Sequence, residues 1–258
     1  NGFIVIEDFI PIDILDRIRL NNKHRDAVAR INRDCYRDRL PSSNSALFLV
    51  PTNAAASSIN KTKLDKLESD KHCFEAIVKG HFNVQKERFQ APHKLELKIG
   101  AQVLFVKNNR PYWLNGTLGL VKNIEKNIIR VELQHSGNTV SVGRDLWEKI
   151  QYEYDRNRKR IVSKRIGSFK QFPLTLGWAI TIHKSQGMTL DSVRIDLGKG
   201  AFCCGQTYVA LSRCKTLDGI QLDRPLSMQD VKADQTILDF YHCLQPLRNK
   251  NFPTENSP

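Results

Sequence analysis

The sequence predicts an α/β domain interrupted by a small β-barrel, on three features. Leu47–Val50, Thr52 with Asn53, and Ala54–Leu67 read as one strand–loop–helix unit. Short apolar segments separated by turn signals fill residues 94–172. After Pro173 the alternation of strand and helix resumes.

In order along the chain, Gly2–Ile10 alternates weakly and Asp13–Arg39 has helical character with many charges. Leu47–Val50 is an apolar run closed by Pro51, the pattern of a buried strand. Ala54–Leu67 has helix-forming composition, with Thr52 or Asn53 placed to cap it. In the middle region Val103–Val106, Gly119–Ile124, Ile128–Leu133, Thr139–Val142 and Arg160–Ser163 read as strands, with turns at Asn115-Gly116 and Gly137-Asn138. The charged stretch Tyr152–Lys164 predicts an exposed hairpin or ribbon. Beyond Pro173 the expected elements are a helix at Trp178–Gln186, a strand at Ser192–Leu197, a helix at Gln206–Cys214 and a strand at Gly219–Leu222. An amphipathic helix at Asp234–Leu247, with Ile237, Leu238, Phe240, Tyr241 and Leu244 inward, closes the pattern. The expected division is therefore an α/β part at 1–93, a barrel insert at 94–172 and a second α/β part at 173–258.

The 40 Lys and Arg residues exceed the 27 acids, a formal charge of +13. Such a surplus suits a polyanionic partner, because neutralised phosphates release counterions, although net charge also serves solubility. No run of about 18 apolar residues occurs, so no membrane partner is expected. The opening residues lack the pattern of a signal peptide. Six cysteines are present without any C-x-x-C pair, which fits no zinc pattern and predicts reduced thiols in an intracellular protein.

Two segments concentrate chemistry. In Trp178–Leu190, an apolar start is followed by consecutive hydrogen-bonding groups at His183, Lys184, Ser185 and Gln186, then by Gly187, which allows close backbone approach. This could hold phosphate or sugar, or be a polar helix end with a glycine cap. In Gln206–Cys214, Arg213 near a helix end could grip an anion with its planar fork, or be an ordinary surface arginine. Lys107 and Asn108, at the end of a barrel strand, could touch a nucleic acid or form a plain turn. Tyr112 and Trp113 beside them could stack bases, but core packing is the commoner use.

These segments resemble a known family. "AITIHKSQGMTL" is similar to motif V, and "GQTYVALSRCKTLDGIQL" to motif VI, of the Pif/RecD branch of superfamily-1 DNA helicases. "LFLVPTNAAASSIN" resembles motif IV, and "LKIGAQVLFVKNN" with "LNGTLGLV" resembles the start of that family's inserted barrel. Four matches in order, over about residues 45–245, make the resemblance specific. It implies a second RecA-like domain with an inserted Src-homology-3-like barrel, the C-terminal half of an ATP-dependent 5′-to-3′ helicase.

By that resemblance Arg213 is an arginine finger reaching the γ-phosphate of ATP, and Gln186 and Gly187 lie on the nucleotide side. His183, Lys184 and Ser185 lie nearer single-stranded DNA, and Thr52 and Asn53 contact a DNA phosphate at a helix start. The family also carries an arginine before motif IV, in an R-Q pair. Arg25 is the nearest match, but the Gln is absent, which favours a solvated surface charge.

No G-x-x-x-x-G-K-[ST] sequence occurs, so the resemblance implies that the phosphate cradle and the Mg site belong to a preceding P-loop domain. Without it the chain is expected to be inactive as an ATPase. A monomer is expected. The competing reading is a non-catalytic nucleic-acid-binding module that keeps the helicase fold.

Overall fold

A computed structural model describes residues 10–21, 24–36, 46–81, 91–155 and 159–248. The chain forms two compact units: Asn1–Asn53 with Thr181–Pro258, and Ala54–Ile180. The Gly2–Ile10 alternation lies, apart from Ile10, outside the described residues, as does the end of the charged segment beyond residue 36.

The first unit opens with two helices, α1 (Ile12–Arg19) and α2 (His24–Cys35), whose buried faces carry Ile14 and Ile18, then Ala27, Val28 and Ile31. Strand β1 (Leu47–Val50) follows, and three residues after it α3 (Asn53–Asp65) carries the chain into the second unit. This is the strand–loop–helix unit that the apolar run and its proline predict.

The chain then builds the second unit from β2 (His72–Glu75), β3 (Ile77–Gly80), β4 (Lys94–Leu97), β5 (Gln102–Phe105), β6 (Leu118–Ile124), β7 (Ile129–Leu133), β8 (Thr139–Val142), β9 (Asp145–Asp155), β10 (Arg160–Gln171) and β11 (Leu174–Leu176). The small barrel centres on a five-stranded sheet in the order β11-β5-β6-β7-β8, antiparallel throughout. Val103, Phe105, Val121, Ile129, Val131, Phe172 and Leu174 are fully buried in one core with Leu95 and Leu97. Burying each such side chain contributes about 1.5–3 kcal/mol. Gly177 closes the barrel against β5: its N–H donates to the Gln102 carbonyl at 2.8 Å, and the Gln102 amide donates back to its carbonyl at 2.8 Å. Strands β3, β10 and β9 form a separate three-stranded sheet whose outer part is a long two-stranded ribbon.

The chain re-enters the first unit through β12 (Ala179–Thr181), followed by β13 (Val193–Ile195), α4 (Gln206–Leu211), β14 (Ile220–Leu222) and α5 (Gln235–Arg248). The sheet order is β12-β1-β13-β14, with β1, β13 and β14 parallel. The fold is α/β, RecA-like, with a small β-barrel insertion.

Two expectations are corrected. Trp178–Gln186 is not a helix: Ala179–Thr181 is a strand, and Ile182 to Gly187 are turns. Ile180, Thr181 and Ile182 are all buried and β-branched, and the Ile182 N–H donates to the Val50 carbonyl at 2.9 Å. Sheet pairing therefore overrides the helix reading. In α5, Ile237 and Phe240 are 52% and 61% exposed rather than inward, while Leu238 and Tyr241 are half-buried. The side chain of Leu244 lies outside the described residues. Periodicity finds an apolar face but not what covers it; within the first unit the Arg19 guanidinium lies 4.8 Å from the Tyr241 ring centroid.

Candidate ATP- and DNA-binding site

The two chemistry-bearing segments meet in the first unit. The turn after β12 is stitched by its own groups. Ser185 Oγ donates to the Ile182 carbonyl at 2.7 Å, the Lys184 N–H donates to Thr181 Oγ1 at 3.3 Å, and the Met188 N–H donates to the Ser185 carbonyl at 3.0 Å. Gly187 has φ +79°, a left-handed conformation that disfavours any side chain there. The result presents His183, Lys184, Gln186 and Gly187 to solvent. Ser185, expected to face DNA, is fully buried, and its hydroxyl serves the turn.

Helix α4 is shorter than expected. It ends at Leu211, and Ser212 caps it with its N–H donating to the Tyr208 carbonyl at 2.9 Å. Arg213 therefore stands just past the helix end. Its Nε donates to the Val209 carbonyl at 2.9 Å and its Nη2 to Ser212 Oγ at 2.8 Å. Its Nη1 reaches across to the turn, donating to the carbonyls of Met188 at 3.1 Å and Ser185 at 3.3 Å. These bonds occupy all but one of the guanidinium N–H groups. The Leu190 N–H donates to the Arg213 carbonyl at 2.9 Å, a second tie between the segments. Partial burial lowers the Arg213 pKa from its ordinary value, because desolvation disfavours the charged form. Cys214 next to it is buried, and its thiol is pushed up to about 12 by desolvation and then by Asp191.

Phe202, which the motifs do not single out, and Cys203, one of the six cysteines, flank the exposed His183. The Phe202 and His183 rings lie 6.4 Å apart, and Cys203 Sγ is 3.8 Å from His183 Nε2. Burial, then neighbouring Cys204, raises the Cys203 thiol pKa. Asp230 was also missed. It is buried, and it accepts from Arg224 at 2.8 and 2.9 Å, from the Ser227 N–H at 2.7 Å and hydroxyl at 2.8 Å, and from the Ala201 N–H at 3.1 Å. It thereby fixes the loop that carries Phe202.

Thr52 and Asn53 are exposed at the start of α3, and the positive end of a helix dipole favours an anion. Arg25 is exposed in the first turn of α2. Within the second unit, Lys107 is committed to Asp145 at 2.9 Å and lies over the Trp147 ring, and Asn108 Oδ1 accepts the Asn115 N–H at 2.6 Å. Trp113 packs on Phe105 in the core while Tyr112 is exposed. Asn60 was missed as well: its amide donates to the Ala179 carbonyl at 2.7 Å and accepts the Ala179 N–H at 2.9 Å. No group of His, Cys, Asp and Glu fit to hold a metal occurs among the described residues. Nor is any described helix long and apolar enough to cross a membrane.

No protein-family profile matches the chain. Individual proteins do. The ATP-dependent DNA helicase Pif1 of Bdellovibrio bacteriovorus is 31% identical over 246 residues, which cover 94% of this chain and 53% of that protein. Among solved structures, Pif1 from Bacteroides sp in complex with ADP-AlF4 superposes with a TM-score of 0.80 at 33% identity, covering 92% of this chain and 54% of that one. Bacteroides Pif1 bound to ssDNA superposes with a TM-score of 0.67 at 34% identity, covering 94% and 55%. The chain spans about half the length of each of these three proteins.

Proposed function

The chain belongs to the Pif1-type superfamily-1 helicases, as the C-terminal half of one, and from this we propose that it is part of an ATP-dependent 5′-to-3′ DNA helicase. Its partners in that reading are single-stranded DNA and an upstream P-loop domain of the same polypeptide, which holds most of ATP and Mg. The working form is a monomeric intracellular enzyme, and residues 94–172 form its inserted barrel. Arg213 is the arginine finger, with Gln186 and Gly187 on the nucleotide side. His183 and Lys184, with Thr52 and Asn53, grip the DNA strand, and Phe202 adds an aromatic surface beside His183.

The observation that carries this reading is the tether from Arg213 Nη1 to the carbonyls of Ser185 and Met188. A cation that touches the γ-phosphate and is bonded to the strand-gripping turn couples hydrolysis to grip, since moving one moves the other. One guanidinium N–H remains for the phosphate, and the incoming anion competes for the others. Arg25 is a weaker member of the site, and within the second unit Lys107 and Asn108 are weaker DNA-contact candidates because their side chains are already occupied.

The test is strand-stimulated ATP hydrolysis and unwinding by the full-length protein, on duplexes tailed at either end. Hydrolysis dependent on single strands, with unwinding only from a 5′ tail, is expected. Strand binding without hydrolysis would replace this reading with the non-catalytic module, and unwinding only from a 3′ tail would reverse the polarity.

A further inference from the structure

The three-stranded sheet of β3, β10 and β9 has two unlike faces. One carries Val78, Trp147 and Phe169 and packs with Ala91 and Val106, Trp147 meeting Phe169 edge-on at 5.7 Å. The register fixes what stands on the other. Leu146, Glu148, Ile150, Tyr152 and Tyr154 of β9 pair with Lys170, Ser168, Arg165, Ser163 and Ile161 of β10, and Ile77 and Lys79 of β3 pair with Lys170 and Ser168. A bulge between Arg165 and Gly167 keeps both halves of β10 in phase with β9. Ile77, Leu146, Ile150, Tyr152, Tyr154 and Ile161 thus share one face, and every one is exposed. Tyr152, Tyr154 and Ile161 are the most open, at 70%, 61% and 69%.

Solvent is a poor neighbour for so continuous an apolar row, and such a patch marks a binding surface. Charge names the occupant. At the foot of the ribbon the face opens into a groove of about 480 Å³ lined by Ile77, Lys79, Leu146, Arg165, Ser168 and Lys170. No acid lines it; Glu148, the acid that the register places on this face, is taken by Arg165 at 2.6 Å, and no described carboxylate pairs with Lys79 or Lys170. Residues 145–171 hold eight Lys and Arg against four acids, a surplus of four. A second copy packed face to face would set these lysines against their own kind. Aromatic rings spaced along a cationic track are what successive bases and phosphates require.

We propose that this face, from Tyr154 down to Lys170, is a stacking platform for single-stranded nucleic acid, with Tyr152 and Tyr154 stacking bases and Lys79, Arg165 and Lys170 lining the backbone. It rests on the reading above only for the strand being DNA. The stretch from Leu146 to Tyr154 spans roughly 26 Å at ~3.3 Å per residue, room for several nucleotides.

The test is photocrosslinking of an iodouracil-substituted DNA strand to the full-length protein without nucleotide, with the linked residues mapped by mass spectrometry. Affinity and its salt dependence are measured in parallel. Crosslinks at Tyr152 or Tyr154 are expected, with a roughly tenfold affinity loss for each of Tyr152→Ala and Tyr154→Ala, the size of one base–aromatic stack. The pair Lys79→Gln and Lys170→Gln should flatten the salt slope by about 1.4, the single-strand value for two phosphates. Both tyrosines are exposed, so circular dichroism should show parent-like folding. Crosslinks confined to residues such as Thr52, His183 and Lys184, with the tyrosine variants at parent affinity, overturn the platform and leave the helicase reading standing. No strand binding by the parent protein overturns both. Self-association abolished by the tyrosine changes, with unaltered strand binding, overturns the platform and assigns the face to a second copy.

Discussion

The Arg213 guanidinium donates through Nη1 to the Met188 carbonyl at 3.1 Å, joining the end of α4 to the turn that presents His183 and Lys184. In the full-length enzyme, Arg213→Ala removes both this tie and the cation proposed for the γ-phosphate. ATP turnover should fall by about 10³-fold or more, with strand binding largely kept. Arg213→Lys should not rescue it, because an ammonium keeps the charge but cannot reproduce a fork bonded to Val209, Ser185 and Met188 together. Steady-state hydrolysis at saturating DNA measures both variants, and parent-like turnover in Arg213→Ala removes the finger assignment.

Thr52 and Asn53 stand exposed where α3 begins. If they hold a phosphate there, Thr52→Ala and Asn53→Ala weaken strand binding and lower the salt slope by about 0.7 for each phosphate released. If they only cap the helix, stability drops by about 1 kcal/mol while the slope stays constant. Fluorescence anisotropy over a salt series, paired with urea unfolding, separates the two.

Gly177 offers a test of the barrel. A Cβ there would lie 2.6 Å from the Val103 carbonyl carbon and 2.8 Å from the Leu104 nitrogen, both backbone atoms that cannot swing aside. Gly177→Ala should therefore destabilise the second unit by on the order of 3 kcal/mol or more. Thermal unfolding followed by circular dichroism reads this, and an unchanged midpoint would mean that β5 yields freely.

What the sequence discloses and what it hides differ in range. Leu47–Val50 and the barrel strands are legible because a short apolar run or a period of two survives in any context. Ile180 to Ile182 are misread as helix because nothing nearby shows that Val50 offers a strand edge. Arg213 and Lys184 are singled out as candidates by their motifs, but the bonds that join their segments depend on the fold. The Asn60 clamp on Ala179 crosses 119 residues and leaves no local trace. Ser185 sits among exposed polar neighbours in the sequence, and only the turn's geometry shows that its hydroxyl faces inward.

Asp230 yields a prediction about acid. Burial alone would raise its pKa, but the hydrogen bonds from Arg224, Ser227 and Ala201 outweigh this and hold the carboxyl well below the usual carboxylate range. A group whose folded pKa is depressed adds stability that is fully present above its unfolded value of about 3.9 and is lost as pH falls through the folded one. At neutral pH Asp230→Asn should cost about 2–3 kcal/mol, less than the ~3–5 of a fully buried pair, since Arg224 is partly solvated. The gap between parent and variant should narrow steadily below about pH 4. Urea midpoints at neutral pH and near pH 3 check this, and a gap that stays constant would show that the carboxylate's charge contributes nothing to holding the Phe202 loop.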